Sequence, residues 1–239
     1  MCFCLISLPL TKDFAMNKFI LLLFFLVHFL VVIPFQAQDR AGIYRVYFNI
    51  DRKLTHPTQV SVNGNIVQNG ALNATRLSDS DIDSIKKIIE RTVSTELRAQ
   101  TEFIYRKNRN GKDIKTNDFG STVRGLPVSS KRTAVRLYEK EYYVRVSIIY
   151  NAVQRTSIGA ALIGMKQYRP VVTIRIIAFN EQRKPVYRKR IFVNDFEKLQ
   201  GFQSNINGVE IQNFQVLTPQ QIREMLAKSM QELIERGRQ

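Results

Sequence analysis

Three stretches of this chain place an apolar side chain at every second position, a period that fits a strand and not a helix. Tyr44, Val46, Phe48 and Ile50 form the first, Val144, Val146 and Ile148 the second, and Val172, Ile174, Ile176 and Ala178 the third. A fourth stretch, Pro185–Val193, is less regular, with Tyr187, Ile191 and Val193 as its apolar side. Strands patterned in this way have one face to hide and one to leave in water, which is the habit of antiparallel sheets. Residues 59–62 and 65–68 flank Asn63-Gly64, the dipeptide that a two-residue hairpin turn favours. Residues 103–105 form a further short strand.

Two segments change to the helical period. Across 77–98, Ile82, Ile85, Ile89, Val93 and Leu97 make one apolar stripe, with Ser78 or Ser80 as cap and Asp81 or Asp83 returning the bond. At the C-terminus, Thr218 caps, Pro219 opens the first turn and Gln221 reciprocates. Ile222, Met225, Leu226, Ser229 and Leu233 then face inward. The expected fold is α+β: an antiparallel sheet of about five to six strands with two amphipathic helices packed on one face. Residues 106–140 are polar, basic and poor in period, and read as a long basic loop. The apolar segment 158–165 reads as a buried crossing, and 195–216 as a second loop.

Alternation has a further consequence. If the apolar residues face the core, Arg45, Arg145, Arg175, Arg188 and Arg190 project from the opposite face of four strands. Strand order and register decide whether they are neighbours. One reading is a solvated outer face; the other is a docking surface for phosphate or carboxylate groups, which the planar guanidinium binds bidentately. The basic residues Arg106, Lys107, Arg109, Lys112, Lys131 and Arg132, and the run 188–190, would extend such a surface.

Residues 19–34 are apolar except for His28, follow Asn17-Lys18, and precede Gln36-Ala37-Gln38. That layout is a secretory signal peptide at 16–37, with translation starting at Met16 and residues 1–15 an upstream extension of the gene. Residues 38–239 form a single exported domain with no transmembrane span after cleavage. An uncleaved run would act as an anchor and leave that domain outside the cytoplasm all the same. The Met-Asn-Lys opening and Gln-Ala-Gln ending are bacterial in style, so the expected location is the periplasm or outer envelope. Without residues 1–37 the chain loses Lys12, Lys18 and Asp13 and both cysteines, leaving a net charge of +15. Such a charge speaks of partners and not of fold.

Most catalytic chemistry finds no residues here. His56 is the single histidine after the signal, it precedes Pro57, and no Gly-x-Ser-x-Gly elbow accompanies it. No cysteine follows the signal, so a structural zinc site has no ligand set. Phosphate-cradling and dinucleotide glycine loops are absent. Asp79, Asp81 and Asp83 alternate as calcium ligands do, but lack the glycine turn and the later Glu in register; a helix start accounts for them. A carboxylate pair for hydrolysis needs only two acidic residues, and nothing singles out such a pair. RNA-binding signatures are missing, and export puts most nucleic acid out of reach. The expectation is a non-enzymatic cell-envelope accessory protein, without cofactor or metal, that binds other envelope proteins. The alternative is a binding module for an anionic polymer or lipid headgroup through the basic sheet face.

Overall fold

The computed structural model describes residues 39–56, 58–62, 65–69, 77–115, 123–160, 163–206 and 209–236. The expected signal peptide and upstream extension lie outside these, as do Asn63-Gly64 and the side chains of 155–166. Asp39–Gln239 is one compact unit, and both hydrophobic clusters of the described residues lie within it.

In chain order the elements are β1 (Arg40–Ile50), a 3-10 turn (Arg52–Leu54), β2 (Thr58–Val62), β3 (Asn65–Asn69), α1 (Asp79–Leu97), β4 (Gln100–Phe103) and α2 (Lys131–Leu137). Then follow β5 (Tyr142–Ala160), β6 (Ile163–Phe179), β7 (Pro185–Val193), β8 (Leu199–Ile206), β9 (Val209–Phe214) and α3 (Pro219–Glu235). The described strands make one sheet in the order β3-β2-β9-β8-β6-β5-β1-β4, with β7 also paired to β6.

The sheet is mixed and not purely antiparallel, because β1 runs parallel to both β4 and β5. Alternation reports which face a residue occupies and carries no information about strand direction. The long excursion through β2, β3 and α1 supplies the crossover that a parallel partner requires. More strands are present than the five to six expected. Segment 158–165 is not a crossing: it belongs to the far ends of β5 and β6, which pair as one long antiparallel hairpin. Segment 195–216 is not a loop either, but holds the β8–β9 hairpin. In β8 and β9 alternation is a weak signal because apolar residues there face solvent: Phe202, Val209 and Ile211 are all exposed. Segment 106–140 is likewise not loop throughout. It contains α2, buries Val123, Leu126 and Ala134, and lays 127–129 along β1, with Val46 N donating to Pro127 O and Ser129 N to Tyr44 O.

β6 shares its second edge between two partners. Its first half, 163–168, pairs with β8, and its second half, 172–179, with β7. The β1, β5, β6 and β7 portion carries the core on its inner face. There Val46, Phe48, Val146, Ile148, Ile174, Ile176 and Ile191 join Ile85, Ile89 and Val93 of α1 and Ile222, Leu226 and Leu233 of α3 in one buried cluster. Each such side chain contributes about 1.5–3 kcal/mol by leaving water. Both expected capping boxes form, Ser78 with Asp81 and Thr218 with Gln221. Four polar contacts tie the helices down. The Tyr150 hydroxyl donates to Ile222 O at 2.8 Å in a buried setting. Arg223 pairs with Asp81, and Glu96 accepts from Tyr187 and from Lys189.

Candidate anion-binding face

Register decides what alternation left open. Arg45 sits beside Arg145, which sits beside Ile177, which sits beside Arg188. In the adjacent row the neighbours are Tyr47, Ser147, Arg175 and Arg190. Asn49, Ile149, Thr173 and Phe192 make the third row. All five sequence-predicted arginines therefore fall within two neighbouring rows of four contiguous strands. With strands about 4.8 Å apart and same-face residues about 6.8 Å apart along a strand, the field measures roughly 15 by 14 Å.

Two pairs of like charge stand directly opposite each other, Arg45 with Arg145 and Arg175 with Arg190. None of the twelve positions holds a carboxylate. Among the described residues, no ion pair is made by Arg145, Arg175, Arg188 or Arg190. Arg175, Arg188 and Arg190 are exposed, and Arg45 and Arg145 are half-buried. The field reaches the neighbouring Tyr44: burial raises that hydroxyl above its ordinary value, while Arg145 and then Arg45 pull it down.

Tyr44 itself corrects the sequence reading. A bulge in β1 between Ile43 and Arg45 leaves it as the extra residue opposite β5, so it leaves the inner face and joins a second cluster on the outer one. That cluster holds Tyr44, Ile104, Ala134, Tyr143, Ile177 and Phe179. It seats α2 over one end of the outer face, next to the arginine rows. Lys131 of α2 lies over the Phe179 ring at 4.1 Å and donates to Arg183 O at 3.0 Å, which places it at the border of the field; Arg132 is exposed on the same helix.

Not every predicted residue is brought to one place. Arg106, Lys107, Arg109 and Lys112 project from a tight turn beyond β4, closed by Asn108 N to Lys112 O and Ile114 N to Arg106 O. All four are exposed, and none belongs to the rows above. Lys189, from the run 188–190, points to the inner face, where it meets Glu96. Sequence reasoning missed three residues at or beside the outer face. Phe192 is 51% exposed and shares the outer side of β7 with Arg188 and Arg190, and the alternation Arg188, Arg190, Phe192 was the signal. Val186, 52% exposed, is the extra residue of a bulge between Pro185 and Tyr187, at the start of the same strand. Arg169 shares the parity of Arg175 on β6, and its Nε is buried with no hydrogen-bond partner.

The residues considered for catalysis or metal take ordinary places. The His56 ring shares a 2.8 Å hydrogen bond with Thr55. Asp81 serves the Ser78 cap and Arg223, and Asp83 meets Lys86 at 3.3 Å. Glu197 and Glu224 border a cavity of about 290 Å³ beside α3. Both are exposed, and Glu224 already accepts from Gln220 at 2.8 Å. No described helix is long and apolar enough to cross a membrane.

The chain matches no family model and no curated protein. Among solved structures it is similar to a candidate neuraminyllactose-binding hemagglutinin homolog from Helicobacter pylori, with a TM-score of 0.37 and 6% identity over 84% of this chain and 81% of that one. It is also similar to the hypothetical protein CT253 from Chlamydia trachomatis, with a TM-score of 0.31 and 12% identity over 84% of this chain and 95% of that one.

Proposed function

We propose that this chain is an exported, non-enzymatic binding protein of the bacterial envelope, and that its outer sheet face takes ligands bearing phosphate or carboxylate groups. One observation carries the reading: arginines stand directly opposite arginines at two places in a field without a carboxylate. Like charges opposite each other destabilise a sheet. A face that only met water would be free to mix its charges, as soluble surfaces do. Concentrated guanidinium groups gain instead from polyvalent anions, each contact adding charge-assisted hydrogen bonds of fork geometry. Of the two readings of the sequence, this favours the module for an anionic polymer or lipid headgroup over the accessory protein that binds other envelope proteins.

The test is binding of the 39–239 fragment to inorganic polyphosphate. Parent protein is compared with a variant carrying Arg45, Arg145, Arg175, Arg188 and Arg190 changed to Gln. A charge-matched control carries Lys87, Arg91, Lys198, Lys228 and Arg236 changed to Gln. Loss in the first variant and retention in the second is the expected result. Equal binding by all three proteins would show that net charge alone is at work, and would refute a site on this face.

A further inference from the structure

The proposed anion-binding face is not purely polar. Phe192, about half exposed, follows Arg188 and Arg190 on the outer side of β7, and Val186, equally exposed, precedes them at a bulge in the same strand. β7 pairs on one side only among the described strands, with β6, so this amphipathic row lies along a free sheet edge. A polyphosphate chain has no use for the apolar pair. A lipid surface does, because phosphates lie in its headgroup layer with hydrocarbon a few ångströms below.

Extent points the same way. From Val186 to Phe192 is about 20 Å along the strand, and β1 to β7 spans about 15 Å, so the patch covers roughly 300 Å². A stable protein partner needs about 800 Å² on each side. A membrane asks for less, since a cluster of basic residues with a few apolar anchors is the usual form of peripheral attachment. Charge complementarity holds as well: five arginines, no carboxylate in the rows, and Lys131 at the border.

We infer that the outer face of β1, β5, β6 and β7 docks on an anionic phospholipid surface, with the arginines on headgroup phosphates and Phe192 and Val186 entering the layer beneath. This rests on the anion-binding reading of the same face. The arginines supply attraction and set the dependence on salt; the apolar pair supplies a part of the affinity that salt does not screen.

The experiment is co-sedimentation of the 39–239 fragment, its cooperative melting checked first, with vesicles of phosphatidylcholine carrying roughly one-third phosphatidylglycerol. Vesicles of phosphatidylcholine alone and free polyphosphate serve as comparisons. Three proteins are measured: parent, the five-arginine Gln variant, and Phe192→Ser with Val186→Ser. The parent should bind the anionic vesicles and leave the neutral ones. The arginine variant should lose a hundredfold or more, each basic residue near an anionic leaflet being worth about fivefold. The serine variant should lose about tenfold on vesicles and nothing on polyphosphate. Binding to polyphosphate without binding to vesicles, or vesicle binding indifferent to the serine changes, overturns the lipid inference and leaves the anion reading standing. Failure of the parent to bind either ligand overturns both.

Discussion

The two faces of β1, β5, β6 and β7 are built from the same backbone and differ in almost everything else. On the inner face, residues such as Val146, Ile148, Ile174 and Ile176 have no exposed surface and share a cluster with α1 and α3. One step along each strand, Arg145, Arg175, Arg188 and Arg190 stand without a described ion-pair partner. The inner face is arranged for stability. The outer face gives some of it up, since like charges oppose each other there. That contrast is the usual mark of a surface shaped by something other than folding.

The largest effects should come from the inner face. Leu226→Ala removes a fully buried side chain of α3 and should cost about 3–5 kcal/mol in denaturant unfolding. Ile177→Ala tests the boundary between the faces, since Ile177 lies in an arginine row yet is buried beneath α2. Its cluster is smaller and easier to relax, so a cost of about 2 kcal/mol is expected. A cost near zero would mean that α2 does not cover that end of the face.

Tyr150 offers a chemical readout of the inner face. Its hydroxyl is held well above the ordinary tyrosine value by burial, so the folded state keeps a proton that the unfolded chain releases near pH 10. The stability it provides is complete below that value and declines as pH rises above it. Tyr150→Phe should cost about 1 kcal/mol at neutral pH, the worth of the bond to Ile222 O. The gap between parent and variant should then narrow above pH 10 in thermal melts.

The smallest effect has the opposite sign. Arg190→Gln relieves the opposition to Arg175 and should raise stability by roughly 0.2–0.5 kcal/mol, while weakening anion binding. Added salt should raise the melting temperature of the parent more than that of the variant, because screening removes the same repulsion. A destabilised variant would mean that Arg190 holds a structural contact, and would remove the contrast between the faces.

The inner face was legible in the sequence because burial on one side writes a strict period. The long helices α1 and α3 and the residues of the core strands follow from it, and the two capping boxes follow from Ser78 with Asp81 and Thr218 with Gln221; α2, short and without such a stripe, did not. The five arginines were legible for the same reason, as the complement of that period. Their adjacency was not, since it depends on β1 running parallel to β5, and alternation is the same in either direction. Tyr44 misled because one extra residue shifts parity, and a bulge leaves no compositional trace. The β8–β9 hairpin was missed where its apolar residues do not mark a buried face: Phe202, Val209 and Ile211 are exposed, and polar neighbours dilute the pattern. Phe192 was legible in parity and overlooked, because exposed apolar residues look like core residues in a sequence.

The most direct test of the outer face is the salt dependence of polyphosphate binding by the 39–239 fragment, compared between the parent and Arg175→Gln with Arg190→Gln. Each phosphate neutralised contributes about 0.7–0.9 to the slope of log K against log salt. If the paired arginines hold phosphates, the double variant should bind more weakly and its slope should be shallower by roughly 1.4–1.8. An unchanged slope, whatever the affinity, would contradict the account, because it would mean that no phosphate is held where the two arginines meet.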